Sequence, residues 1–305
     1  MSSSKVSKDA VLKQFRGITN ATAADAQRIL KAHNYRISSA VDAFYEDPVA
    51  MDNAAKGGSG SSSSAAKKAD KESRDRLNAL FDEYKDEDGD NITIEGAMEL
   101  CSDLGISPED PAILPLSFYL RSPSLGTFTR DGYVDGWRTL GPGLDTKEKQ
   151  KEFVAGTLAQ ELRQNAAVRG PLAAQGKGGL YRRVYEFTYA FARPEGQKSL
   201  PLDSAIAFWE LIIPCAPAFE GNSDASSSSG AKFTQRQLDL WKEYLTETMK
   251  GRAISKDTWS LFLDFISQIN EDFTNHDLDG AWPSVIDDFV TWAQERAKSG
   301  NEMQS

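Results

Sequence analysis

Between Asp52 and Asp70 the sequence runs DNAAKGGSGSSSSAAKKAD, rich in glycine and serine and without apolar periodicity. Such a stretch offers few side chains to bury and behaves as a flexible coil. It constrains the architecture more than any other feature, because the residues on either side must close separate hydrophobic cores. The linker is taken to extend over 48–73, and its Gly/Ser-rich part has an r.m.s. reach of about 25 Å. A chain of 305 residues is long enough for one small and one large domain.

The small domain is expected at 6–47, as three short amphipathic helices. KDAVLKQF places Val11, Leu12 and Phe15 on one face. TAADAQRILKAHN opens with a capping Thr22 and repeats Ala26, Ile29 and Leu30, and ISSAVDAFYED spaces Ala40, Val41 and Phe44 helically. The large domain is expected at 74–298. ESRDRLNALFDEY spaces Leu77, Leu80, Phe81 and Tyr84 as one stripe, and EGAMELCSDLGI ends at Gly105, a natural helix stop. LYRRVYEFTYAFAR and SAIAFWELII are aromatic-rich inner helices. QRQLDLWKEYLTETM, SKDTWSLFLDFISQI and GAWPSVIDDFVTWAQERAK complete the set. No strand-period run of useful length occurs, and FEGNSDASSSSGAK, 219–232, reads as a disordered insertion. The fold class is all-α.

A formal charge of −10 argues against nucleic acid as a partner, since that needs a basic stripe, and favours basic protein surfaces. Cys101 and Cys215 are far apart and form no CxxC pair, as expected of a reducing compartment. MSSSKVSKDA lacks the apolar core of a signal peptide, and AIAFWELIIPCAPAF is too short and broken to span a membrane. Cytoplasm and nucleus are the expected compartments.

NHDLDGAWPSVI lies close to a calcium loop without matching one. Asn275, Asp277 and Asp279 occupy the first, third and fifth EF-hand positions, and Gly280 the sixth. The twelfth, which needs a bidentate Glu, is Ile286, and the ninth is Pro283, which has no side-chain oxygen. DEDGDNITIEGAMEL imitates a second such loop, but aligning Gly89 with the turn puts Tyr84 in the first ligand position. FTRDGYVDGW resembles the outgoing half of another. The large domain therefore reads as EF-hand-like helix pairs that keep the turn and drop the metal; no metal or cofactor is expected. His33 and His276, the only histidines, have no Cys or Ser at a nucleophile–base spacing and are taken as surface residues. No phosphate-cradling GxxxxGK[ST] occurs. These features describe a binding protein.

KDTWSLFLDF, DGAWPSVIDDFV, ARPEGQKSLPLDSAIAFWEL and YEFTYAFA resemble, in order, the potentiating-neddylation (PONY) domain of the defective-in-cullin-neddylation family, over about 74–296. The N-terminal bundle resembles the ubiquitin-associated (UBA) domain that many members carry. The resemblance implies a scaffold-type co-ligase, not itself an enzyme. Its partners would be the cullin C-terminal domain with its RING subunit and the N-terminally acetylated Nedd-conjugating enzyme. The family's cullin-facing Asp–Ala–Asp patch carries over to Asp257 of KDTW, Ala281 of GAWP and Asp287 of IDDF. Helical spacing supports this, since Trp259, Phe262, Leu263 and Ile266 form one buried stripe and Ile286, Phe289, Val290 and Ala293 another, leaving Asp257 and Asp287 pointing out. Residues 251–295 hold nine acids against Arg252 and Lys256, a field suited to steering a basic surface.

The resemblance also implies an apolar groove for the acetylated N-terminal Met of the conjugating enzyme. Ala97, Cys101, Ile113, Leu116, Leu120 and Phe128 would line it, closed by Phe191, Phe208 and Leu211. Pro115 is expected to kink or restart its helix. UBA domains bind ubiquitin through a Met-Gly-aromatic loop, which here reads Arg16-Gly17-Ile18, keeping the Gly but neither the Met nor the aromatic; ubiquitin is carried as a third partner on the resemblance alone. A monomer is expected, without nucleic-acid or membrane contacts. The rival readings are a ubiquitin-binding adaptor and a calcium-binding EF-hand protein.

Overall fold

The computed structural model describes residues 8–19, 21–57, 64–107, 109–223 and 232–302. The chain divides into two compact units, one ending at Glu72 and the other beginning at Ser73. Helices α1 (Lys8–Thr19), α2 (Ala23–Ala32) and α3 (Ile37–Tyr45) bury Phe15, Ala26, Leu30 and Phe44 together. Thr22 caps α2 by accepting a hydrogen bond from the Asp25 amide at 3.1 Å. The linker expected from 48 is helical at both ends. Helix α4 (Pro48–Gly57) adds Ala50 and Ala54 to the same core, and α5 (Ser64–Tyr84) begins well before 73. The reason lies at the start of α4. The Asp47 carboxylate accepts from the Val49 and Ala50 amides, and Pro48 suits a first helical position. The central Gly/Ser run, 58–63, lies outside the described residues.

In the larger unit α5 and α6 (Ile94–Leu104) form one EF-hand-like pair, and α7 (Ile113–Tyr119) and α8 (Arg130–Leu140) the next. Their loops are joined by a short antiparallel pairing that the sequence reading did not anticipate. Strand β1 (Asn91–Ile92) faces β2 (Phe128–Thr129), with Asn91 opposite Thr129 and Ile92 opposite Phe128. Where a calcium ion would tie such loops, the Arg130 guanidinium bonds Asp82 and Asp90 and lies 4.5 Å from the Phe81 ring centroid. Tyr84, in the first ligand position, is buried and donates to Asp103 at 2.7 Å. Gly105 ends α6 with φ 69°, the left-handed conformation glycine adopts without strain. Pro115 sits in the first turn of α7, where its missing amide leaves no bond unmade, so it starts the helix and does not kink it.

Short helices α9 (Lys147–Glu152) and α10 (Ala159–Arg163), joined by a π-helical segment, lead to α11 (Leu180–Ala192) and α12 (Leu202–Ile212). Helices α13 (Gln235–Thr248), α14 (Lys256–Ile266) and α15 (Ser284–Glu302) follow. An aromatic stack locks these together. Trp209 lies 5.0 Å from Trp259 and Trp241 lies 4.5 Å from Phe262, both pairs near-parallel. Two of its polar edges are satisfied within the stack, whereas the Trp241 indole N–H has no partner among the described residues. The Trp209 indole donates to the Tyr185 hydroxyl at 2.9 Å, and that hydroxyl donates to the Trp259 carbonyl at 2.8 Å. The margins of the expected insertion are ordered. Phe219 and Phe233 are buried, and the Asn222 amide donates to the carbonyls of Arg163, Cys215 and Ala216. Residues 224–231 of that insertion lie outside the described residues.

Candidate functional sites

Two surfaces of the larger unit carry recognition chemistry. The first is a pocket of about 790 Å³ walled by α6, α7, α11 and α12. Of the nine predicted groove residues, Ala97, Cys101, Ile113, Phe128, Phe191, Phe208 and Leu211 line it. Leu116 and Leu120 do not; they are fully buried beneath it. The reason is helical rotation. Ile113 and Ser117 share the pocket face of α7 at i,i+4, whereas Leu116 and Leu120 share the neighbouring face that packs into the core.

The rim holds residues that the sequence reading missed. Ile94, Met98 and Leu125 are exposed by 67%, 60% and 59%, although all three are large and apolar. Ile94 and Met98 stand one turn apart on the face of α6 that carries Cys101, a spacing that could have marked an apolar face open to solvent. Glu109 and Glu210 add negative charge at the rim, with Glu210 also paired to Lys242. Ser117 is a buried lining residue whose hydroxyl has no hydrogen-bond partner among the described residues. Burial pushes the Cys101 thiol above its usual pKa, which disfavours the nucleophilic thiolate.

The second surface is the acidic corner at the loop between α14 and α15. Ser255 caps α14 by accepting from the Thr258 amide, and Asp257 is exposed in the first turn. Trp259, Phe262, Leu263 and Ile266 are buried, as are Ile286, Phe289, Val290 and Ala293 on α15. The degenerate calcium loop is stitched by its own side chains. The Asn275 carboxamide accepts from the Asn270 amide and donates to the Gln268 carbonyl, and Asp277 accepts from the Asp279 amide. Gly280 is needed for space and not for a left-handed turn, since an added Cβ would sit 2.9 Å from the Trp282 ring. Ala281 is exposed. Helix α15 begins at Ser284, one residue after Pro283, whose carbonyl accepts from the Ile286 amide at 2.8 Å.

One expectation fails here in an informative way. His276, taken as a surface residue, has a side chain only 2% exposed, whereas Asp287, expected to point out, keeps its side chain 26% exposed. The two are joined, His276 Nε2 to Asp287 Oδ1, at 2.7 Å. Ala281 lies just ahead of α15 and Asp287 in its first turn, while Asp257 lies in the first turn of α14, eight residues or about 12 Å of helix before Phe265. Phe265 is the residue beside which His276, Trp282 and Phe289 gather.

In the small unit Arg16, Gly17 and Ile18 form the last turn of α1 and not a free loop. Ile18 is exposed, and Arg16 donates to the Ala21 carbonyl at 3.2 Å.

Fold and surfaces together define a class: an all-α protein with a small UBA-like bundle and a larger helical unit built on EF-hand-like pairs. Residues 9–50 match the family model described as UBA-like domain, and 156–292 match the one described as cullin binding. The chain is similar to "Defective in cullin neddylation protein 1" of Mycosarcoma maydis, 48% identical with 99% of each chain covered. The protein of the same name from Cryptococcus neoformans is 35% identical, covering 95% of this chain and 96% of that one. The human "DCN1-like protein 3" is 31% identical over 77% of this chain and 67% of its own. The chain belongs to the defective-in-cullin-neddylation family.

Proposed function

We propose that the chain serves cullin neddylation as a non-catalytic co-ligase. It holds the C-terminal domain of a cullin with its RING subunit at the acidic corner and the N-acetylated conjugating enzyme in the apolar pocket. The observation that carries this reading is the pocket itself, concave, apolar and rimmed by exposed Ile94, Met98 and Leu125. A free α-amine is charged at neutral pH and costly to bury, whereas acetylation removes the charge. The buried Met side chain then contributes about 1.5–3 kcal/mol. Two moderate contacts on one packed unit raise the local concentration of enzyme at the acceptor lysine, and the bond-forming chemistry stays with the partners.

The test is reconstituted transfer of the modifier from charged conjugating enzyme to a cullin–RING complex, with and without the chain. Acceleration that disappears on Ala97→Arg or Asp287→Lys is the expected result. An unaltered transfer rate in the presence of the chain would remove the proposal. A second activity is favoured by the small unit, which exposes Ile18, Tyr45, Val49 and Met51. We propose that it takes ubiquitin weakly through these side chains. Titration of labelled ubiquitin into the full chain checks this, and unchanged ubiquitin resonances would count against it.

A further inference from the structure

We infer that His276 is a positioning residue, a buried imidazole that holds the Asp287 carboxylate ready for the basic partner. The inference rests on the proposed role of Asp287 in the acidic corner and adds a residue to that site.

The imidazole has little freedom. Phe265 of α14 meets it edge-on at 5.7 Å, and Trp282, just ahead of α15, lies tilted against it at the same distance. Its side chain is 2% exposed, and among the described residues its side-chain polar contact is with Asp287, whose side chain is 26% exposed. A carboxylate only accepts, so Nε2 carries the hydrogen and donates to Oδ1. Oδ2 makes no hydrogen bond among the described residues. Asp287 does not turn back to cap its own helix either, since the Ile286 and Asp287 amides both point to the Pro283 carbonyl. The carboxylate is thus anchored by one oxygen and presents the other. A side chain ordered before its partner arrives loses less freedom on association.

A histidine that only filled space would be replaceable by a ring of similar size without consequence for the partner, and that decides the experiment. The full chain is titrated calorimetrically with a cullin C-terminal fragment, comparing wild type, His276→Phe, His276→Gln and Asp287→Lys. His276→Phe keeps the ring and removes the donor; binding about threefold to tenfold weaker is expected. His276→Gln, which restores an N–H donor, recovers most of the loss, and both variants keep the wild-type melting temperature. Wild-type affinity in His276→Phe beside weakened binding in Asp287→Lys overturns the inference and leaves the acidic corner standing. Unchanged binding in Asp287→Lys removes the corner and the inference with it. Should His276→Phe not fold, the wild-type imidazole decides by itself. A slowly exchanging Nε2–H resonance that vanishes in Asp287→Ala supports the anchor, and its absence in wild type refutes it.

Discussion

The apolar pocket and the acidic corner share one helical unit but are made of opposite materials. The pocket is walled by side chains whose helices are core on their other faces. Ala97 and Cys101 ride on α6, whose Leu100 and Leu104 are fully buried, and Phe208 on α12 neighbours the stacked Trp209. The corner hangs on a loop and two helix starts, and its order comes from individual polar contacts such as His276 to Asp287. Packing fixes the first to the tolerance of a protein interior, whereas a few hydrogen bonds fix the second. The two should therefore respond differently to volume, charge, salt and pH.

The largest effect is expected from Ala97→Arg. A guanidinium there fills the pocket wall with charge, and affinity for an acetylated Met peptide should fall about a hundredfold, roughly 2.7 kcal/mol. Cullin binding measured on the same protein should stay within about twofold. A parallel loss of both would show that the surfaces are coupled and break the comparison.

Charge reversal at the corner comes next. Asp257→Lys with Asp287→Lys should weaken cullin binding by about tenfold to fiftyfold and leave peptide binding unchanged, with both read by calorimetry. Because Asp257 and Asp287 stand on different helices and share no hydrogen-bond partner among the described residues, the two substitutions should be close to additive. Strong non-additivity would mean the acids act through one contact point.

How far these surfaces were legible in sequence follows the same division. Stripes at helical spacing gave away the buried faces of α14 and α15, because Trp259, Phe262, Ile286 and Phe289 repeat with the period of the helix. Seven pocket residues were legible through the family resemblance, but Leu116 and Leu120 were placed on the wrong side of α7. A difference of one helical position swings a side chain by about 100°, and in a helix that is apolar but for Ser117 little in the sequence says which flank meets the void. Helix α4 was lost by judging 48–73 on its glycine and serine, although Asp47-Pro48 is a helix-start signal in its own right. His276 could not be read at all. Its burial depends on Phe265 and Trp282, which reach it only once α14 and α15 have packed.

Ionic strength separates the two materials without any substitution. Raising salt from about 0.05 to 0.3 M shortens the Debye length from about 14 to about 6 Å. Cullin binding through the corner should weaken by about fivefold, while the acetylated peptide should change by less than about 1.5-fold. Equal sensitivity would mean that Glu109 and Glu210 at the pocket rim carry more of the peptide's affinity than the apolar walls do.

The smallest effect is the sharpest local probe of the pocket. Cys101 is a lining residue whose thiol burial pushes above its usual pKa, so at pH 7.5 little of it is thiolate, the nucleophilic form. Alkylation of Cys101, followed by mass spectrometry of its peptide, should be slower than for a free thiol. The rate should keep rising with pH beyond about 8.5, where a free thiol levels off, because the folded protein gives up this proton later. Acetylated Met peptide at saturation should slow the reaction several-fold further by covering the sulfur. A cullin fragment at the corner should not change it. Protection by the cullin fragment, or none by the peptide, would place the apolar ligand somewhere other than against α6.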